Sequence, residues 1–158
     1  MTRCHNRFRL TALLLIAAAL CCTLAGCRTI IPATAEDFET AMKTLDYQVT
    51  DTLELYGGDP TVLKSASVQK DGFFIEFLVF NSEQSAGQFY ESVKQQYINR
   101  KSGVSSVVQT DLPEYSFYKL KSGDQYSVVQ RVSDTVFCGG CSKADADRIN
   151  EALKAIGY

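Results

Sequence analysis

The stretch Phe73-Phe74-Ile75-Glu76-Phe77-Leu78-Val79-Phe80 decides the fold, entered through Lys70-Asp71-Gly72 from the run Val62 to Gln69. A strand packed on one side alternates apolar and polar residues. This one is apolar at every position except Glu76, which predicts a central strand covered on both faces. Asp-Gly between two such runs predicts a tight hairpin, since these residues accept the backbone angles of a two-residue turn.

Upstream of this hairpin, Thr34-Ala35-Glu36-Asp37 opens a helix, with Thr34 as N-cap and acids in the first turn, where the helix dipole favours them. Phe38, Ala41, Met42 and Leu45 form its apolar face. Tyr47 to Leu55, with Val49, Leu53 and Leu55, reads as a strand closed by Tyr56-Gly57-Gly58-Asp59-Pro60. Downstream, Asn81 or Ser82 caps a second helix to about Arg100, whose stripe is Ala86, Phe89, Tyr90, Val93 and Tyr97. Glu83, Glu91, Lys94 and Arg100 are expected to face water, and Lys101-Ser102-Gly103 ends the helix.

Val104 to Thr110, Tyr115 to Leu120 and Gln125 to Val132 read as three more strands, and Thr135 to Phe137 as an extension of the sheet. Ser142 and Asp145 cap a last helix whose apolar side is Ile149, Ala152, Leu153 and Ile156. The expected fold is α+β, a mainly antiparallel sheet of about six to seven strands with three helices. The order is helix, strands, helix, strands, helix. Leu45-Asp46-Tyr47 and Ile156-Gly157-Tyr158 close two helices alike, a short signature of internal pseudo-repetition.

Residues 1–9 hold Arg3, Arg7 and Arg9 and no acid, and Leu10 to Cys22 is apolar apart from Thr11. That is the layout of a secretory signal peptide. Leu24-Ala25-Gly26-Cys27 follows and resembles the lipobox of bacterial lipoproteins. The resemblance implies that residues 1–26 are removed and that the Cys27 thiol carries a diacylglyceryl group. Residues 27–33 are then a tether containing Pro32, and 34–158 a single domain. The whole layout is similar to small uncharacterised lipoproteins of Gram-positive bacteria, which brings no activity with it. The expected location is the cell membrane, lipid-anchored and facing outside the cytoplasm, with the membrane as partner through the anchor. An uncleaved span competes, because Leu10 to Cys27 is at the short edge of what crosses a bilayer. Arg28 stands where an Asp favours inner-membrane retention in two-membrane bacteria, and it leaves the choice of membrane open.

The chain has 158 residues, 46% hydrophobic and 22% charged, the balance of one globular domain. A net charge of −2 provides no broad basic surface, so no nucleic-acid partner is expected. The one histidine, His5, lies in the segment expected to be removed. Its loss excludes a Ser-His-Asp triad, a Cys-His pair and histidine ligation of zinc or haem. Neither a Gly-x-x-x-x-Gly-Lys nor a Gly-x-Gly-x-x-Gly loop occurs. No cofactor, metal site or catalytic group is expected, and the protein reads as a non-catalytic binding module for a protein or small molecule.

Two features remain as candidates. Cys138-Gly139-Gly140-Cys141 sits before a capped helix, whose N-terminus would lower a thiolate pKa and suit thiol–disulfide exchange. Its late position differs from that of the same motif in a thioredoxin fold. The plainer expectation is a small local disulfide, or two thiols in a turn. Glu76 is a carboxylate on a doubly apolar strand and needs a partner, a wet groove or an edge position. Arg131, within Val128-Val129-Gln130-Arg131-Val132, is the one base inside a comparable strand, so a Glu76–Arg131 pair is the economical expectation; a ligand-facing carboxylate or one that simply reaches water are the alternatives. The cluster Tyr115, Phe117 and Tyr118 reads as packing.

Overall fold

The computed structural model describes residues 30–158; the arginine-rich start, the apolar run and Leu24 to Cys27 lie outside the described residues. Among the described residues three helices, α1 (Ala35–Thr44), α2 (Glu83–Asn99) and α3 (Ala146–Ala155), alternate with strands in the expected order. The strands are β1 (Thr50–Asp51), β2 (Val62–Lys70), β3 (Phe73–Phe80), β4 (Ser105–Asp111), β5 (Tyr115–Ser122), β6 (Gln125–Val132) and β7 (Thr135–Ser142). They form one 7-stranded sheet in the order β1-β2-β3-β7-β6-β5-β4. Every neighbouring pair is antiparallel, as a chain of hairpins and helical returns requires.

The β2–β3 hairpin turns on Asp71 and Gly72, with φ of 51° and 74°, the two positive angles of the expected turn. β3 then lies between β2 and β7 and serves both layers. Phe73, Ile75 and Phe77 pack with Phe38 and Met42 of α1 and with Ile149, Ala152 and Leu153 of α3. Leu78 and Phe80 pack on the opposite face with Ala86, Tyr90 and Val93 of α2. The Phe38 and Phe77 rings stack at 5.3 Å. Each such fully buried large side chain contributes about 1.5–3 kcal/mol of transfer free energy.

α1 starts on a reciprocal cap: Asp37 N donates to Thr34 Oγ1 at 3.1 Å and Thr34 N donates to Asp37 Oδ2 at 2.9 Å. The chain's other end secures the same region. Ala33 N donates to the Tyr158 hydroxyl at 3.1 Å, and that hydroxyl also bonds the side chain of Thr135. The segment entering α1 is therefore fixed at the end of the sheet that carries the β6–β7 turn.

Three expectations are corrected. Tyr47 to Leu55 is strand only at Thr50 and Asp51, which pair with Ser67 and Ala66. Asp51 Oδ1 accepts from Leu53 N at 2.9 Å, and Leu53–Tyr56 then turns as a 3-10 helix that leaves Leu55 80% exposed. Lys94 is buried rather than solvated, because Glu91, Asp111 and the Tyr90 ring surround its ammonium. β7 does not stop at Phe137. It continues through Cys138 to Ser142 because the ladders with β3 and β6 hold it extended on both sides. Ser142 caps a 3-10 turn at Lys143–Asp145, and α3 follows.

Candidate functional site

Cys138 and Cys141 are three residues apart on one extended strand, so their side chains leave opposite faces of the sheet. Cys138 lies in the α2 layer, opposite Glu76 of β3 and Val129 of β6. Cys141 lies in the α1–α3 layer, opposite Tyr126. Both are free and buried, which corrects the expectation of a local disulfide or a turn. Burial, followed by the Glu76 carboxylate, pushes the Cys138 thiol well above its ordinary range. Burial, followed by Asp145, pushes Cys141 up to about 11, with Arg148 opposing. Both shifts run opposite to the lowering that a helix N-terminus brings to a thiol.

The glycines between them have a packing role. A Cβ on Gly139 would stand 2.7 Å from Ile75 Cγ2 and 2.8 Å from the Phe74 carbonyl oxygen, so β3 and β7 approach where no side chain fits. Gly140 is less constrained, its nearest neighbour being the Tyr126 carbonyl oxygen at 3.6 Å.

Glu76 shares the α2 face with Cys138, next to the 3-10 turn. Ser65 Oγ donates to Glu76 Oε1 at 2.9 Å and Thr52 Oγ1 donates to the same oxygen at 3.3 Å. The two hydroxyls are themselves 2.7 Å apart. The Tyr56 phenol joins the cluster, and burial followed by the Glu76 charge raises it far above its ordinary range. Tyr97 closes the floor, its hydroxyl donating to the Gly139 carbonyl at 3.3 Å. The carboxylate is thus held by hydroxyls, a set of short side chains with no sequence motif to announce it.

Arg131 does not pair with Glu76. It stands opposite Val136, itself opposite Leu78, two strands away from Glu76 and two residues further along. Its guanidinium turns to carbonyls nearer by. Nη1 donates to Ser133 O at 3.1 Å, and Nη2 donates to Leu112 O at 3.2 Å and Pro113 O at 2.6 Å. Nη2 also reaches Ser116 Oγ at 3.4 Å. Arg131 therefore ties the β4–β5 turn to the β6–β7 turn.

An open cleft of about 670 Å³ lies between the N-terminal half of α2 and these turns, with Arg131, Ser116 and Pro113 on one side and Glu83, Tyr90 and Glu91 on the other. Tyr90 Oη donates to Asp111 Oδ1 at 3.2 Å, and Lys94 Nζ bridges Glu91 at 2.9 Å and Asp111 at 3.8 Å. The sequence signal for this network is the spacing Tyr90, Glu91, Lys94, which places all three on adjoining helix positions. The cleft thus sets one buried guanidinium opposite a rim that carries Glu83 and Glu91, a polar lining suited to holding a polar group. Among the described residues no cluster of three His, Cys, Asp or Glu could hold a metal ion, and no helix is long and apolar enough to cross a membrane.

No family model and no curated protein matches the chain. Among solved structures, it is similar to a GTP-binding regulator from Thermotoga maritima, with a TM-score of 0.46 and 16% identity over 78% of this chain and 87% of that one. It is also similar to the extracellular domain of PknH from Mycobacterium tuberculosis, with a TM-score of 0.38 and 10% identity over 78% of this chain and 89% of that one. Neither likeness bears on activity.

Proposed function

We propose that this chain is a bacterial lipoprotein, anchored in the cell membrane through Cys27, whose domain acts outside the cytoplasm as a non-catalytic binding module. Leu24-Ala25-Gly26-Cys27, directly after a basic start and an apolar run, carries the reading. Removing residues 1–26 takes away three arginines and no acid, so the remaining chain is more acidic than the −2 of the whole. Two acyl chains anchor stably where one binds marginally, which suits a diacylglyceryl cysteine. From Cys27 to the fixed residue Ala33 the chain reaches at most about 20 Å, so the domain stays close to the bilayer.

The binding side of the proposal rests on the cleft beside Arg131. The separation of Cys138 and Cys141 onto opposite faces removes the geometric support for a dithiol mechanism. The anchor is tested by Cys27→Ala with labelled palmitate in the native host. The expected result is an unlabelled, uncleaved precursor of larger size. A variant that still incorporates palmitate and migrates like the wild type refutes the anchor.

A further inference from the structure

β4 is the outer strand on one side of the sheet, and every residue from Ser105 to Asp111 is exposed. At the other side the outer strand, β1, spans only Thr50–Asp51. Natural edges are usually blunted by shortness, by Lys or Pro within the strand, or by a bulge. β4 has none of these: Ser105-Ser106-Val107-Val108-Gln109-Thr110-Asp111 contains no base and no proline, and pairs with β5 without a register shift. Val107 and Val108 are 41% and 58% exposed.

The ladder shows which backbone groups are free. Leu112 and Tyr115 exchange both backbone hydrogen bonds, at 2.7 and 3.3 Å. Alternation along an antiparallel pair then turns Thr110, Val108 and Ser106 inward to β5. Ser105, Val107, Gln109 and Asp111 present their N–H and C=O groups outward, without a partner among the described residues.

We propose that β4 pairs with β4 of a second copy of this chain, antiparallel about a two-fold axis at Val108, joining two sheets into one. The strand is self-complementary in this register. Ser105 faces Asp111 and Val107 faces Gln109 of the second copy, so each outward group finds a hydrogen-bond partner and no like charges oppose. Val108 meets its own counterpart at a non-hydrogen-bonded position, where Cα atoms stand about 4.5 Å apart. Moving the register toward the C-terminus brings in Pro113, which has no N–H to give. Exact two-fold pairing of parallel strands is excluded, because opposed residues would both point their groups the same way.

The axis is perpendicular to the sheet, so the α1–α3 layers of both copies lie on the same side. Both Ala33 residues then lie on that same side, at opposite ends of the joined sheet. On the lipoprotein reading, two anchors can therefore enter a single membrane, where confinement raises the local concentration. A closed two-fold contact is also the commonest form of homo-oligomer.

The test uses the full chain in its native membrane. Val108→Cys is oxidised mildly and run without reductant beside the wild type. A dimer band absent from the wild type is expected, because the opposed Cα atoms are within disulfide range. Ser106→Cys, whose counterpart would be about 13 Å away, should give no band. Adding Gln109→Pro to Val108→Cys removes an outward N–H that β5 does not use, and should abolish the band. A monomer-only Val108→Cys overturns the proposal and leaves the edge to another polypeptide. An equal band from Ser106→Cys, or a band unaffected by the proline, reports random collision and overturns it too.

Discussion

Gly139 stands where β3 leaves no room for a side chain on β7, and its missing side chain is a structural requirement. Gly139→Ala forces its methyl against Ile75 and the Phe74 carbonyl in the middle of the sheet, where backbone cannot move aside. The expected cost is about 2–3 kcal/mol of stability, the upper part of the overpacking range. Gly140→Ala meets only ordinary contacts and should cost less than about 1 kcal/mol. Urea unfolding of the two variants checks the difference, and equal losses would contradict it. The motif Cys138-Gly139-Gly140-Cys141 was hard to read for this reason. Two glycines in sequence signal a turn, while the ladders that hold them extended come from β3 and β6, far away along the chain. Glu76 was half legible: its need for a partner followed from its apolar neighbours. That Ser65 and Thr52 meet the need depended on how β1 and the 3-10 turn fold back.

At the scale of elements, β3 was the most legible, because a run apolar on both faces has few places to go. The helices followed from their spacing, and Thr34 and Ser82 cap as their types suggest. β1 is shorter than the strand-like Leu53 and Leu55 suggest, because the Asp51 side chain redirects the backbone. The burial of Lys94 has no local signal, because it depends on Asp111, which arrives from β4. Arg131 shows how one side chain couples elements. Arg131→Met leaves the Leu112 and Pro113 carbonyls without their charged donor while keeping much of the apolar stem. The expected loss is about 2 kcal/mol, typical of hydrogen bonds to a charged group. Hydrogen exchange should quicken in residues 112–116 and stay slow in β3 and β7. Unchanged exchange at the turn would show that Arg131 does not hold it.

At the scale of the molecule, one sheet separates two apolar layers, α1 with α3 on one face and α2 on the other. The segment entering α1 is pinned at Ala33 by the Tyr158 hydroxyl, which also bonds Thr135 of β7. The central claim is that a lipid on Cys27 holds this two-layered domain at the membrane. It is tested most directly by mass spectrometry of the N-terminal peptide of protein extracted from its native membrane. The account predicts a chain beginning at Cys27 with a diacylglyceryl group on sulfur. A peptide that runs unmodified through Gly26 and Cys27 would contradict it.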